Sequence, residues 1–261
     1  MLDDVRYAVR QLVKNPSFTL IAVFALALGI GANTAIFSVV NAVLLRPLPY
    51  PEADKLIVVR ETSHIFDNGA VGYVNWLDWH DAQKSFTDLA LVRRESVNFS
   101  LGAGQGSPER LRGVRASSGF LSVLGFKPKL GRDLSAIDDI AGAPNVALIS
   151  ENLWRHDFGA SPSVLGRRVL IDGLQREIIG VFPVELQFGR NPDVLLPISE
   201  LAKEPWMLKR DYHQGWSGLG RLKPSVTISQ ATSDLNAIAT DLEKKYPESN
   251  AGRRVRLRPL F

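Results

Sequence analysis

The chain has 261 residues, and its 31 basic and 27 acidic side chains are spread along it to give a formal charge of +4. Because so mild and dispersed a charge forms no basic stripe, we expect no nucleic-acid partner. Cysteine is absent, which excludes disulfides, thiolate metal sites and a cysteine nucleophile, while a hydrophobic content of 45% is typical of a folded domain.

The first 14 residues have the pattern of an amphipathic helix. Leu2, Val5, Val9 and Leu12 recur at helical spacing, and basic residues at positions 6, 10 and 14 lie between them. Helices of this kind lie on a membrane surface. Because basic residues next to a membrane span favour the inner side, we expect residues 1–14 to form a cytoplasmic helix.

A run without charged residues covers positions 15–45. At about 1.5 Å per residue, a helix of this length exceeds the ~30 Å hydrocarbon layer of a membrane. Pro16 suits the first helical position, and the prolines after Arg46 cannot continue a helix. We therefore predict a transmembrane helix over residues 16–45, with everything after Tyr50 outside the cytoplasm.

Small residues recur every four positions along the apolar run. Stripes of this kind let two helix backbones approach closely in a bilayer. Polar side chains at Asn33 and Asn41 also favour neighbouring helices. The segment therefore predicts packing against further transmembrane helices, which must come from another chain or from sequence beyond residue 261. The predicted packing residues are Ala25, Ala27, Gly29, Gly31 and Ala35.

Two other interpretations of the apolar run are weaker. A cleaved signal peptide also has a basic start and an apolar core, but this run is too long and its best cleavage site, residues 29–31, is poor. A dinucleotide-binding loop would need a strand before Gly29 and a final glycine, and the sequence has neither. We therefore expect the segment to be retained as a span.

The region after residue 50 begins with a β-α-β pattern. A β-branched run predicts a strand over residues 56–60, and a helix capped by Asn75 follows it. A short helix over residues 117–125 has serine as its cap and glycine at its end. Further strands are predicted over residues 89–92, 97–101, 111–114 and 145–150.

The second half ends with another β-α-β pattern. A helix over residues 151–158 is closed by Gly159, and the Asp172-Gly173 pair predicts a hairpin. Two such units around a mixed middle predict an α+β fold, in which both ends of the chain form one subdomain and the middle forms another. The remaining elements are hairpin strands over 168–171 and 175–181, a strand over 219–222, a helix over 229–246 and a strand over 254–258.

Signals for chemistry are weak throughout. None of the four histidines has a partner at metal-ligand spacing, and the sequence has neither a P-loop nor a nucleophile elbow. The cluster of residues 78–81 around His80 is best explained as a solvated helix face, the tryptophans as core, and the arginines after residue 252 as a solvated strand face. We therefore predict no catalytic, cofactor-binding or metal-binding residue.

Several motifs in sequence order resemble one transporter family. They are residues 4–12 with 15–18, residues 27–40, residues 45–51, Leu124-Gly125-Phe126 with Gly131-Arg132, residues 148–150 with Leu153-Trp154, and residues 166–181 through the Asp172-Gly173 turn. With these motifs, the whole chain is similar to the permeases of the MacB and FtsX-like group of ABC transporters, of the duplicated orphan type found in acidobacteria.

The resemblance implies a transmembrane helix followed by a MacB-like periplasmic core domain over residues 50–261. It implies a porter lobe over about 52–115 and 206–261, and a sabre lobe over about 116–205. The ATPase would be a separate subunit, a second permease copy or further helices would complete the membrane part, and a periplasmic membrane fusion protein would be a further partner. Family members have three more helices, so the chain resembles a fragment or truncated product.

These expectations lead to one hypothesis with one rival. The chain is read as a permease subunit of an ABC-type efflux system in the bacterial inner membrane, not an enzyme, whose periplasmic domain transmits ATP-driven motion and contacts partners. The rival is a membrane-tethered periplasmic scaffold or sensor domain without transport activity. A third interpretation, a released periplasmic hydrolase, requires cleavage of the apolar run.

Overall fold

A computed structural model describes residues 2–40, 50–102, 107–189 and 191–260. The chain divides into two compact units, residues 1–48 and 49–261. The final five positions of the predicted transmembrane helix, 41–45, lie outside the described residues, as does most of the 45–51 motif.

In residues 2–40, the described part of the first unit, there are two helices, α1 (Leu2–Lys14) and α2 (Pro16–Val40). Only Asn15 separates the two helices. The helical hydrogen-bond ladder is interrupted here because Pro16 has no amide proton to donate. The Thr19 hydroxyl donates to the carbonyl oxygens of Leu12 at 2.6 Å and of Asn15 at 3.0 Å. The Thr19 side chain thus satisfies carbonyls at the junction. The predicted start of a helix at Pro16 is confirmed.

The second unit combines short helices with a large mixed sheet. Its helices are α3 (Tyr73–Ala82), α4 (Phe120–Leu124), α5 (Glu151–Phe158), α6 (Ser199–Ala202), α7 (Ile228–Lys245) and α8 (Pro247–Asn250). Its strands are β1 (Leu56–Ser63), β2 (Phe66–Gly69), β3 (Phe86–Ser100), β4 (Glu109–Ala116), β5 (Leu130–Gly131), β6 (Val146–Ser150), β7 (Arg168–Ile171), β8 (Leu174–Phe182), β9 (Val194–Pro197), β10 (Ser217–Leu222) and β11 (Arg254–Pro259).

One end of the sheet has the strand order β11-β1-β10-β3, and all neighbours in it are antiparallel. Since β1 and β3 are separated by β10, the two predicted β-α-β units are interleaved as split units. Helices α3 and α7 contact each other and share one apolar cluster with these strands. That cluster contains residues from 57–91 and from 198–257, so both ends of the domain build it.

The other end of the sheet continues as β4-β9-β6-β8-β5, with β7 beside β8. Two of its pairs, β4 with β9 and β6 with β8, are parallel. A second apolar cluster, drawn from residues 97–196, packs here together with α5. The predicted mixed α+β fold is confirmed by this arrangement. The division into porter and sabre lobes at the stated residues stays a prediction.

Strand β3 crosses from one cluster to the other. Its first half supplies Phe86, Leu89 and Leu91 to the first cluster, and its second half supplies Val97 and Phe99 to the second. The prediction of two strands here is wrong, because the ladder with β4 continues through the charged residues between them. A single strand of 15 residues therefore belongs to both cores.

Local signals fixed some boundaries and missed others. Helix α5 begins after Ser150, whose hydroxyl accepts from the Leu153 amide, and ends at Gly159, as predicted. The predicted Asn75 cap of α3 is wrong, because the cap is Gly72 and Asn75 lies inside the helix. Serine does not cap α4 either, since Gly119 does so in the left-handed conformation. Asn75 instead makes tertiary contacts with Glu61 and Arg210.

Candidate functional site

The predicted packing residues all lie on helix α2, on an exposed surface. Ala25 and Gly29 form one stripe and Ala27, Gly31 and Ala35 form another, with the stripes roughly 140° apart around the helix at 100° per residue. A Cβ atom added to Gly29 or Gly31 would meet nothing within 4 Å. The structure leaves the two stripes facing different directions and open to neighbours. Their role in packing stays a prediction.

A series of ion pairs in the second unit joins two buried arginines, Arg115 and Arg176, to partly buried carboxylates. The Arg115 guanidinium donates to Glu95 Oε1 at 3.0 Å and to Glu200 Oε2 at 3.3 Å. On the far side, Arg176 donates to Glu200 Oε2 at 2.8 Å, and its second nitrogen contacts the other carboxylate oxygen. Four charged residues from β3, β4, β8 and α6 thus form a continuous series.

The same series reaches an aromatic side chain of the first core. Glu95 accepts from Arg93 at 2.8 Å, and the Arg93 guanidinium lies 4.7 Å from the centre of the Trp216 ring. Trp216 is 1% exposed and Arg176 is equally buried. Charged side chains are rarely buried without partners, and this series pairs each of its arginines with a carboxylate. Among the described residues, Arg176 Nε and Trp216 Nε1 have no hydrogen-bond partner.

Burial has a direct effect on the charge of Arg176. Desolvation, together with the nearby Arg115, lowers the pKa of Arg176 to about 10. The group remains a cation at neutral pH, so Glu200 is the counter-charge that makes its burial tolerable. Sequence reasoning missed this series, although the alternation of Arg93 and Glu95 in β3 already places both side chains on one face of the strand.

A second buried cluster surrounds Glu61, whose side chain is fully buried on β1. Its carboxylate accepts from the Gly72 amide at 3.0 Å, from Asn75 Nδ2 at 3.1 Å and from Arg253 at 3.0 Å. Burial raises the pKa of Glu61, and these donors oppose that rise. Asn75 is thus occupied by a long-range contact, which explains why it does not cap α3.

His213 completes the Glu61 cluster. Arg253 donates to His213 Nε2, and the same imidazole nitrogen lies 3.4 Å from Glu61 Oε2. Burial and the charge of Arg253 lower the pKa of His213 to about 4. The imidazole is therefore neutral at physiological pH, and the cluster holds β1, α3 and the segment before β10 together.

The remaining candidate residues have structural roles. His80 is half exposed, and its contacts with Asp88 and Asp81 raise the pKa of His80 to about 9, while Asp78 pairs with Arg210 at 2.6 Å. Within the described ranges, no group of three or more His, Asp or Glu side chains is arranged to hold a metal ion. The core role predicted for tryptophans is confirmed for those buried in the first cluster, Trp76, Trp79 and Trp216.

The arginines of β11 follow the predicted alternation. Val255 and Leu257 are buried in the first cluster, whereas Arg254, Arg256 and Arg258 are not. This confirms a strand with one face outward. The predicted solvated strand face is wrong for Arg253, which precedes the strand and donates to the buried Glu61. Taken together, the Glu61 cluster and the ion pairs around Glu200 join elements that are remote in sequence.

Three solved structures share this fold at low sequence identity. A domain of a protein described as a permease from Porphyromonas gingivalis superposes with a TM-score of 0.60 and 18% identity, covering 81% of this chain and 93% of that one. The periplasmic region of MacB from Actinobacillus actinomycetemcomitans gives 0.55 and 15%, covering 79% and 89%. The extracellular domain of the noncanonic ABC-type transporter YknZ from Gram-positive bacteria gives 0.50 and 16%, covering 77% and 99%.

A search among curated proteins gave no match. The sequence profile described as the MacB-like periplasmic core domain matches residues 19–238, which is most of the chain. The profile begins within α2 and ends within α7, so it covers the ion pairs, the second cluster and most of the first cluster, whose members Leu242, Val255 and Leu257 lie beyond it. By this match, the chain belongs to the MacB-like periplasmic core domain family.

Proposed function

We propose that the chain is a permease subunit of an ABC-type efflux system, anchored in the bacterial inner membrane by α2. In this proposal α1 lies on the cytoplasmic surface and residues 50–261 lie in the periplasm. The observation that carries it is the pairing of a MacB-like core domain with an apolar helix, of which the 23 residues Pro16–Ser38 are long enough to cross a membrane and remain unburied.

The proposal assigns the work of ATP hydrolysis to a separate ATPase subunit. The residues of the periplasmic domain would then pass on motion, and a membrane fusion protein would be a partner on the periplasmic side. The two small-residue stripes on α2 would contact other transmembrane helices, including those of a second permease copy. Because the stripes face different directions, α2 would have two helix neighbours.

The absence of cysteine from the sequence allows a direct test of the membrane topology. Ile65→Cys, at a side chain that is 78% exposed, places one thiol in the core domain, and Gln11→Cys places one in α1. With a membrane-impermeant maleimide, we expect intact spheroplasts to label Ile65→Cys and to label Gln11→Cys only after lysis. The unmodified chain is the blank. The reverse labelling pattern would disprove the orientation.

A second experiment separates the permease from the scaffold. The full chain is tagged in its own cells, extracted in mild detergent, and assayed for a co-purifying ABC ATPase and its ATP hydrolysis. We expect an ATPase whose hydrolysis rate changes when Glu200→Gln interrupts the ion pairs between the cores. A chain that is membrane-bound in the topology test but isolated without any ATPase would instead support a tethered scaffold.

A further inference from the structure

One edge of β3 is paired with other strands at its two ends but not in its middle. Strand β10 pairs with β3 as far as Val92, and β7 pairs with it at Phe99 and Ser100. Both run antiparallel to β3, so β7 and β10 form one broken line along its edge. Between them, the five β3 residues at positions 93–97 have β4 as a partner on the other side only.

The backbone groups that face this gap can be identified from their neighbours. The Asn98 amide donates to Asp172 Oδ1 at 2.8 Å, and the Asn98 carbonyl accepts from the Asp172 amide at 2.8 Å, so Asn98 faces β7. Alternate residues of a strand direct their N–H and C=O groups to the same side. Arg94 and Ser96 therefore direct theirs into the gap, where no described residue bonds them.

A cavity of about 480 Å³ opens at this gap. Arg94, Ser96 and Arg112 line it together with Gly215, which lies just before β10. The five uncovered residues span roughly 17 Å at about 3.4 Å per residue, which is room for a strand of about four residues. We refer to the uncovered edge at Arg94 and Ser96, with this cavity, as the β3 notch.

The charges around the β3 notch favour an acidic occupant. Three carboxylates near the notch, those of Glu95, Asp193 and Glu200, are each paired with at least one arginine. The arginines outnumber them, since there are five: Arg93, Arg94, Arg112, Arg115 and Arg176. Arg94 has no carboxylate partner among the described residues and is exposed. A charged side chain at an open strand edge discourages pairing with strands that cannot neutralise it. The positive charge of Arg94 therefore favours a strand that carries an acidic side chain.

We propose that the β3 notch binds an extended acidic segment of a partner protein, which pairs with β3 as a short added strand. Its backbone bonds to the N–H and C=O groups of Arg94 and Ser96, and its acidic side chain contacts Arg94. Recognition of this type takes affinity from the backbone ladder and specificity from alternate side chains. The interaction goes beyond the proposed transport function, and binding at the notch can be measured whether or not the chain supports transport.

The test uses the full chain in lipid nanodiscs and a fluorescein-labelled peptide of six residues that alternates glutamate and valine. Binding is measured by fluorescence anisotropy. A lysine–valine peptide of the same length tests for charge. Glutamate–valine peptides carrying N-methyl groups on every second amide, in each of the two registers, test for the backbone ladder. We expect the lysine peptide and one N-methylated register to bind at least 10-fold more weakly than the unmodified peptide.

Substitutions in the chain make the same distinction. Arg94→Glu is expected to weaken binding of the glutamate peptide at least 10-fold and to favour the lysine peptide. Ser96→Pro removes an amide that faces the gap without removing a ladder bond to β4, and is expected to weaken both peptides. The matched control is Arg258→Glu, an exposed arginine on the edge strand β11, which is three strands away from β3 and should leave binding unchanged.

The outcomes are distinct. The proposal is overturned if the glutamate peptide does not bind, if both N-methylated registers bind as well as the unmodified peptide, or if Arg94→Glu has no effect. It is also overturned if the chain dimerises in an Arg94-dependent manner that the peptide cannot displace, because a second copy would then occupy the notch. Should Ser96→Pro fail to fold by circular dichroism, the N-methylated peptides carry the backbone test alone.

Discussion

Glu200 lies between two guanidinium groups, those of Arg115 and Arg176, and its side chain is 16% exposed. A buried cation that loses its counter-charge is costly, because neither water nor a carboxylate then stabilises it. The contact also joins parts of the chain that are far apart in sequence, since Arg115 and Glu200 are separated by 85 positions. At this scale, single side chains decide whether the two cores stay joined.

Glu200→Gln keeps the shape of the side chain but removes its charge. We expect the free energy of unfolding to fall by about 3 kcal/mol, because Arg176 stays buried and loses its anion. Urea unfolding of the full chain in detergent measures the change. The matched control is Asp241→Asn, whose side chain is 78% exposed and pairs with Lys244, and which should cost less than about 0.5 kcal/mol. Equal losses in the two variants would contradict the role of burial.

The lowered pKa of His213 predicts a dependence of stability on pH. The folded pKa of about 4 lies below the ordinary value of 6.5, so the unfolded chain binds the proton first as the pH falls. The stability due to neutral His213 is therefore complete above pH 6.5 and is lost progressively as the pH falls to about 4. Between pH 7 and pH 5 this loss is about 2 kcal/mol.

The measurement for His213 compares the wild type with His213→Gln. The raised pKa of Glu61 acts in the opposite sense, gaining stability as the pH falls, and it acts in both proteins. The difference between their pH dependences thus isolates the histidine. A variant whose unfolding free energy falls as steeply between pH 7 and pH 5 as that of the wild type would refute the assignment.

At the scale of elements, the sequence predicted best where the signals are local. The Asp172-Gly173 turn has φ angles of 51° and 77°, the left-handed values that a two-residue hairpin requires, and its strands pair as predicted. The parallel strand β9 was missed, because its partner β4 is remote in sequence. The ion pairs and the β3 notch were not predictable for the same reason, since each depends on which strands become neighbours.

Gly173 and Gly131 have almost the same φ angle but different surroundings, so replacing each by alanine distinguishes the cost of backbone strain from that of steric overlap. Gly173 has φ +77° with open space around it, so Gly173→Ala should cost about 1 kcal/mol from the left-handed conformation alone. Gly131 has φ +74°, but a Cβ there would overlap the Ile179 carbonyl oxygen across the β5–β8 pair. Gly131→Ala should therefore cost about 3 kcal/mol or more.

Urea unfolding of the two glycine variants, side by side, gives both free energies. Because the φ angles match, the difference between the variants reports the close approach of β5 to β8. Similar losses for Gly131→Ala and Gly173→Ala would mean that this approach is not as tight as the structure has it.

At the scale of the whole molecule, the first and second apolar clusters lie on one continuous sheet of the described residues. Strand β3 supplies side chains to both clusters, and the ion pairs from Arg93 to Arg176 connect them a second time. Two cores joined in this way should lose their structure together, because unfolding one of them removes half of a strand from the other.

We therefore expect a single unfolding transition for both cores, and the cysteine-free chain offers clean reporters. Ala231→Cys places a thiol in the first cluster and Ala147→Cys places one in the second, at side chains that are both fully buried. Pulse labelling of the thiols along a urea series should give the same midpoint for the two variants. Midpoints that differ beyond experimental error would show that the cores unfold independently.

The shared strand also limits how such domains can diverge by recombination. A crossover between the genes of two relatives that falls within the codons for β3 would give a strand whose halves were selected against different neighbours. To exchange only the middle of the domain, recombination must join the two genes at two points. The first of these points falls inside or next to the codons for β3. The domain is thus expected to pass between relatives as one block, with variation concentrated in surface residues instead of in exchanged lobes.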